Sequence, residues 1–232
     1  MTTKHLLGFA LLLATSVSCC NQHEETCQWT PAGDKIMTSW AEQVDPANVL
    51  PEYPRPQLVR ADWQNLNGEW TYELDLVQTG HERGLTQSTG FDGKITVPFA
   101  PESELSGVQH KDFIPSIWYQ REISIPQEWA GKDVLLNFGA VYYVSEIYVD
   151  GKFVDRHHGG SDSFTVDITR FVKPGGKHSL VVCASSDLRS RMQSAGKQSL
   201  RHGPFECMYT RTTGIWQTVW MEAVAPTGIQ RV

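Results

Sequence analysis

The chain has 232 residues, 40% of them hydrophobic, 20% charged and 10% aromatic, and its 20 Lys and Arg against 26 Asp and Glu leave a net charge of −6. That composition is too apolar for a disordered tail and too polar for a multi-span membrane protein, and the acidic balance speaks against a nucleic-acid surface, which needs a basic face. The length suits one large domain or two small ones, and it is too short for a complete barrel enzyme of ~250 residues with anything attached.

The first segment reads as an address. Lys4 and His5 precede the apolar run Leu6–Ala14, and small or polar residues follow up to Cys19 and Cys20. Nine apolar residues fall short of the ~20 that a spanning helix needs. A basic start, a short apolar centre and a small-residue exit describe an export signal over residues 1–18. Ser16-Val17-Ser18-Cys19 resembles a bacterial lipobox, with Ser16 where Leu is usual. In that reading Cys19 is lipidated, and the protein is exported to the periplasm or held at the outer membrane or cell surface. The only membrane contact is then the lipid anchor. A plainly cleaved signal is the alternative.

Residues 19–60 read as a Pro-rich tether or wrapping segment. Pro46, Pro51, Pro54 and Pro56 remove backbone donors and favour extended chain. A short helix is expected around Trp40–Gln43.

From residue 66 onward the pattern is short strands between turn signals. The expected strands are 68–75, 95–99, 116–126, 133–139, 144–150, 152–155, 163–169, 178–185 and 215–224. Phe164, Val166 and Ile168 alternate with Thr165 and Asp167, the period of a half-buried strand. Ile147 and Val149 alternate in the same way with Glu146 and Tyr148. Asp150-Gly151 reads as a two-residue hairpin turn. Leu180–Ala184 is apolar on both faces, as in a central strand. Many short strands without intervening helices indicate an all-β sandwich of jelly-roll type over residues 61–226. Ala225–Gly228 is a turn, and residues 227–232 open another strand-like run, as at the start of a second domain.

Few residues stand out for chemistry. There is no G-x-S-x-G, H-E-x-x-H or phosphate loop, and Cys27, Cys183 and Cys207 lack metal-ligand spacing, so neither cofactor nor metal is expected. Cys183, in an apolar run, reads as core; whether the three cysteines pair is open. His157 and His158, adjacent on a strand, point to opposite faces and share no ligand easily. Glycosidic hydrolysis needs two facing carboxyl groups. Glu69, Glu73, Glu102, Glu104, Glu122, Glu146, Glu206 and Glu222 are available, but no context singles out a pair; Glu122 and Glu146 read as solvent-facing. The aromatics are more suggestive. A flat ring stacks on the C–H face of a sugar while nearby donors hold its hydroxyls. Trp118, Trp216 and Trp220 suit either that role or the core. Tyr209 and Arg211 lie in a loop before the last strand, where binding residues concentrate.

Taken in order, the strand residues resemble the N-terminal sugar-binding jelly roll of glycoside hydrolase family 2, which includes β-galactosidases, β-glucuronidases and β-mannosidases. The pieces are Trp63-Gln64-Asn65-Leu66-Asn67-Gly68-Glu69-Trp70, Ile95-Thr96-Val97-Pro98-Phe99, Trp118-Tyr119-Gln120-Arg121, Asn137-Phe138-Gly139, Val149-Asp150-Gly151-Lys152, His158-Gly159-Gly160, and Thr213-Gly214-Ile215-Trp216-Gln217 with Thr218-Val219-Trp220. They span residues 60–224. The resemblance implies a carbohydrate partner and a downstream immunoglobulin-like domain and (β/α)8 barrel, while the chemistry of the rings and loop offers Trp118, Tyr209 and Arg211 as the substrate-binding residues. It implies retaining hydrolysis of β-linked glycans by two barrel glutamates. No Asn-Glu pair, the family's acid/base mark, occurs here, so no catalytic residue carries over and the chain is expected to be inactive alone. Tyr209 stands near where several galactosidases carry a loop acid. A stand-alone surface glycan-binding lipoprotein, or an assembly domain forming a homo-oligomer, are the other expectations.

Overall fold

A computed structural model describes residues 37–229. Twelve strands appear in chain order: β1 (Trp63–Asn65), β2 (Gly68–Leu74), β3 (Gly93–Val97), β4 (Ser116–Ser124), β5 (Asp133–Phe138), β6 (Val141–Tyr142), β7 (Val144–Val149), β8 (Lys152–His158), β9 (Phe164–Asp167), β10 (Lys177–Ser185), β11 (Gly214–Ile215) and β12 (Val219–Val224). Helical structure among the described residues is limited to three-residue 3-10 turns. All pairings between these strands are antiparallel. One sheet runs β1-β12-β5-β9, a second β3-β2-β4-β10-β7-β8, and β11 pairs with β6.

Strand alternation builds the core between the two larger sheets. Leu136, Phe138, Val219, Met221 and Val166 meet Ile117, Tyr119, Ile147, Leu180 and Val182 there. Each such large side chain contributes about 1.5–3 kcal/mol by leaving water. β10 is central, with β4 on one side and β7 on the other, as its two-sided apolar sequence requires. Asp150 and Gly151 both have positive φ, 49° and 73°, as a type I′ turn demands. The expected last strand divides at Trp216–Thr218 into β11 and β12, because Gly139 N–H bonds the Thr218 carbonyl there.

The alternating residues of β7 are not half-buried as expected. Glu122 is exposed, but Glu146 is only 8% exposed and Tyr148 is buried too. The reason is the loop 75–92, which folds over the outer face of the six-stranded sheet. It lays Leu85 and Phe91 against a second small cluster of Trp118, Tyr148, Val181 and Cys183. That cover turns an outward strand face into an interior.

The Pro-rich segment wraps the sandwich where it is described. The helix expected near Trp40 is a single 3-10 turn, Ala41–Gln43. Asn65 Nδ2 donates to the carbonyls of Val49 and Leu50, and Tyr53 Oη donates to Glu222 Oε2 at 2.7 Å. Arg55 also pairs with Glu222, whose side chain is almost wholly buried. The expected signal, Cys19, Cys27 and residues 230–232 lie outside the described residues. Among the described residues, Cys183 and Cys207 are free thiols.

Candidate functional site

Three loops converge at one end of the sandwich. They are 75–92 after β2, 98–115 after β3, and 186–213 after β10. Gln78, Phe113, Ile114, Pro115, Asp187, Leu188, Arg189, Gln198, Arg211 and Thr213 line a cleft of about 230 Å³ between them. A sandwich buries its strands and leaves its loops for binding, so the sequence that cannot continue a ladder is the sequence that lines this cleft.

Arg211 organises the cleft floor. It is only 4% exposed. Its guanidinium donates to the carbonyls of Ser199 at 3.1 Å and His202 at 2.9 Å, and also to those of Arg201 and Lys111. Its Nε is buried without a partner among the described residues. Burial lowers the Arg211 pKa, while the charges of Glu102 and Asp112 work the other way; the group stays charged because a guanidinium starts so high. The Phe113 ring carries two guanidinium groups, Arg211 and Arg189, each 4.1 Å from its centroid.

Tyr209 stands beside this floor. Its backbone is fixed from both sides: its N–H donates to the Lys197 carbonyl at 2.8 Å and its carbonyl accepts from Ser199 N–H at 2.7 Å. Its ring is 64% exposed. The Lys197 ammonium sits 5.9 Å from the ring centroid. Behind the loop, Glu102 is buried and accepts the hydroxyl and the N–H of Thr213. Burial raises its pKa, against those two hydrogen bonds and the Arg211 charge.

The structure does not bring Trp118 to this cleft. Trp118 is 1% exposed, in the outer cluster of the six-stranded sheet. Tyr148 stacks on it at 6.3 Å, His81 meets it edge-on at 5.0 Å, and its Nε1 donates to Asp75 Oδ2 at 3.2 Å. The ring offers no free face, so its place here is the core, one of the two readings of the sequence. Trp220 is buried and Trp216 half-buried, its Nε1 donating to the Gly160 carbonyl. His157 is half-buried against Phe164 and His158 is exposed.

Sequence reasoning missed Asp75 and Arg189, and offered Glu102 only as one of eight glutamates that no context singled out. Glu102 has its partner, Thr213, 111 residues away, and Asp75, besides its local bonds from Thr79 and Gly80, meets the Trp118 indole 43 residues away. For a metal, among the described residues, His81, Glu146 and Cys183 are the donors that lie together, within 4.8 Å of one another. Glu146 there already accepts from Tyr148 Oη at 2.7 Å and pairs with Arg156. Burial pushes the Cys183 thiol up to about 12. Those facts describe a hydrogen-bonded network whose carboxylate is already neutralised.

The description of glycosyl hydrolases family 2, sugar binding domain, matches residues 63–219. Beta-glucuronidase of Felis catus is 29% identical over 133 residues, covering 53% of this chain and 20% of that protein. Beta-galactosidase of Thermoanaerobacter pseudethanolicus is 25% identical over 175 residues, covering 74% of this chain and 22% of that protein. The chain thus spans about a fifth of the length of these relatives. The crystal structure of Ruminococcus gnavus beta-glucuronidase has the same fold, with a TM-score of 0.58 at 24% identity, over 75% of this chain and 30% of that one. A jelly-roll sandwich with its loops gathered at one end, and a family match over most of its length, place this chain in glycoside hydrolase family 2 as a sugar-binding domain.

Proposed function

We propose that this domain holds a β-linked glycan at its loop end for a retaining glycosidase whose bond cleavage belongs to a (β/α)8 barrel. The carrying observation is a cleft that three loops close and Arg211 floors, with the exposed ring of Tyr209 two residues away on the same loop. A sugar needs such a flat apolar face beside charged or polar donors. The relatives named beta-glucuronidase and beta-galactosidase support a β-glycoside as the ligand. Trp118 serves from beneath, by fixing the loop 75–92 that forms one wall.

Calorimetry of the purified chain against β-linked oligosaccharides tests this reading. Saturable binding that Tyr209→Ala weakens at least tenfold is the expected result. The chain alone should not hydrolyse nitrophenyl glycosides. Turnover that survives rigorous purification and disappears on changing a glutamate of this chain would overturn the division of labour.

The second reading is a glycan-capturing surface lipoprotein, and the lipobox-like Ser16–Cys19 favours it. In this reading the protein is exported and Cys19 carries the anchor. Detergent-phase partition that Cys19→Ser abolishes is the expected result. An unmodified mature N-terminus by mass spectrometry would count against the anchor.

A further inference from the structure

The four-stranded sheet has an outer face that the core does not use. Leu136, Phe138, Val166, Val219 and Met221 point inward, so their strand neighbours point outward. Register sets those neighbours in two rows. Asn65, Trp220, Asn137 and Thr165 form one, and Trp63, Glu222, Leu135 and Asp167 form the other. The Pro-rich segment lies over the β1 and β12 end of both rows. Asn65 holds the Val49 and Leu50 carbonyls, the Tyr53 ring meets Trp63 edge-on at 5.1 Å, and Arg55 lies over Trp220 at 5.5 Å. Toward β5 and β9 the face is open. A cavity of about 650 Å³ runs between Gln57 and Leu58 of the segment and Leu135, Thr165 and Asp167 of the strands. A second, of about 400 Å³, lies beside Pro54, Trp216, Gln217 and Trp220. Both are lined by Arg55 and Ser163, so together they form one groove.

Two buried N–H groups of groove-lining residues have no acceptor among the described residues: Trp220 Nε1 and Arg55 Nε. Trp220 is only 3% exposed, so water does not serve it freely. A fold seldom leaves a buried donor unpaired, and one that lines a groove calls for an acceptor from outside the chain. The groove also carries unmatched acceptors. Glu222 neutralises Arg55, but Asp133 and Asp167 line the groove without a salt-bridge partner among the described residues. The surplus charge is therefore negative, and an anionic ligand meets repulsion there. An extended peptide gains its affinity from the ladder groups of a sheet edge, whereas this groove lies on a sheet face. A neutral polyhydroxylated chain fits each requirement. Its oxygens accept from the two N–H groups, its hydroxyls donate to the carboxylates, and its C–H faces meet the rings of Trp216 and Phe164.

We infer that this groove is a second glycan site, which takes a neutral oligosaccharide chain laid across the four-stranded sheet between the Pro-rich segment and β9. Trp220 Nε1 and Arg55 Nε donate to its oxygens, and Asp133 and Asp167 accept its hydroxyls. Asp133 and Gly139 line opposite reaches of the groove, six residues apart along β5 and its continuation, which is ~20 Å of extended chain. Each cavity falls within the ~300–1,000 Å³ of ordinary ligand clefts, so more than one ring is accommodated. No residue that lines the groove lines the loop-end cleft. The inference rests on the sugar-binding reading above for its class of ligand, and it adds a separate place on the domain where such a ligand binds.

The test is NMR titration of the whole chain, read at the assigned indole N–H signals of Trp216 and Trp220, with calorimetry in parallel. The probes are neutral β-linked hexasaccharides of glucan, galactan, mannan and xylan, a galacturonan hexasaccharide as the anionic arm, and a lysine-rich peptide. The expected result is that at least one neutral chain shifts both indole signals in a saturable way, and that the galacturonan acts on them at least tenfold more weakly. Ser163 is exposed and shared by both cavities. Ser163→Leu should therefore obstruct the groove and weaken that response at least tenfold, with an unchanged melting temperature. Gln217→Ala, also at an exposed position, should weaken it independently. Calorimetric binding that leaves both indole signals in place overturns the inference and leaves the loop-end reading standing. An indole response that both variants retain in full overturns it as well. A response to the peptide alone overturns it and assigns the groove to a basic protein segment. Absence of binding to every sugar overturns both readings.

Discussion

Glu102 accepts both the N–H and the hydroxyl of Thr213, the residue directly before the β11 strand. The link ties loop 98–115 to the end of loop 186–213, across 111 residues of sequence. Burial raises the Glu102 pKa, so the folded state binds its proton more tightly than the unfolded state, where the value is ~4.3. The contribution is therefore fully present below the unfolded pKa and is lost as pH rises through the folded one. Glu102→Gln keeps an acceptor for the N–H, and the Thr hydroxyl can rotate to accept from the new amide. Urea denaturation from pH 4 to 7 should show wild-type stability falling relative to the variant as pH rises. A constant difference between the two proteins would rule the linkage out.

Arg211 serves four backbone carbonyls from two separate stretches of chain: Ser199, Arg201 and His202 in one, and Lys111 in the other. Removing its side chain leaves buried acceptors without donors. Arg211→Ala should cost about 2–4 kcal/mol, given ~1–3 kcal/mol for each unsatisfied buried group and some relaxation. Arg211→Lys should recover less than half, because an ammonium cannot reach four acceptors spread around a planar fork. Denaturation curves give the energies. Limited proteolysis should show new cleavage between residues 199 and 211 in the Ala variant; protection equal to wild type would deny Arg211 its organising role.

Asp75 is the corresponding anchor beneath the sheet. It accepts N–H groups from Gly80 at 2.7 Å and Thr79 at 3.0 Å, and the Trp118 indole at 3.2 Å. Burial works to raise its pKa, yet these bonds and the Arg83 charge hold it below the usual carboxylate value. Its stabilisation is thus present above the unfolded value of ~3.9 and is lost as pH falls through the folded one. Asp75→Asn should cost about 1.5–3 kcal/mol at neutral pH and much less in acid, since the charge-assisted bonds are what the variant loses. Trp118→Phe should cost about 1 kcal/mol by removing one donor. An Asp75→Asn penalty that persists at pH 2 would contradict this account.

The strand ladder was legible because alternation and turn residues act locally. Phe164 to Ile168 and the Asp150-Gly151 turn follow directly from side-chain period and positive φ. The family resemblance rested on the same ladder residues. Glu146 was not legible as buried, since its cover comes from a loop that starts some 70 residues earlier and carries no strand pattern. The two-residue β6 and the three-residue β1 were too short to leave a period. At the loop end, the position of Arg211 was readable but its use was not, because backbone carbonyls as partners leave no trace in side-chain sequence.

Gly214 joins the loop end to the core and gives the sharpest test of the fold there. Its φ is +70°, and a Cβ built on it would lie 2.1 Å from Tyr119 Oη. Tyr119 is fully buried at the centre of the sandwich, and its hydroxyl accepts the Ile215 N–H at 3.3 Å. A methyl at 214 therefore meets two penalties. The left-handed backbone costs an L-residue about 1 kcal/mol, and the overlap forces either Tyr119 or β11 to move. Gly214→Ala should lose about 2–4 kcal/mol in total. Tyr119→Phe removes the clashing oxygen, so the double variant Gly214→Ala/Tyr119→Phe should be less destabilised than the two single changes added together. Strict additivity in denaturant would mean that Gly214 and Tyr119 do not meet as the structure has them.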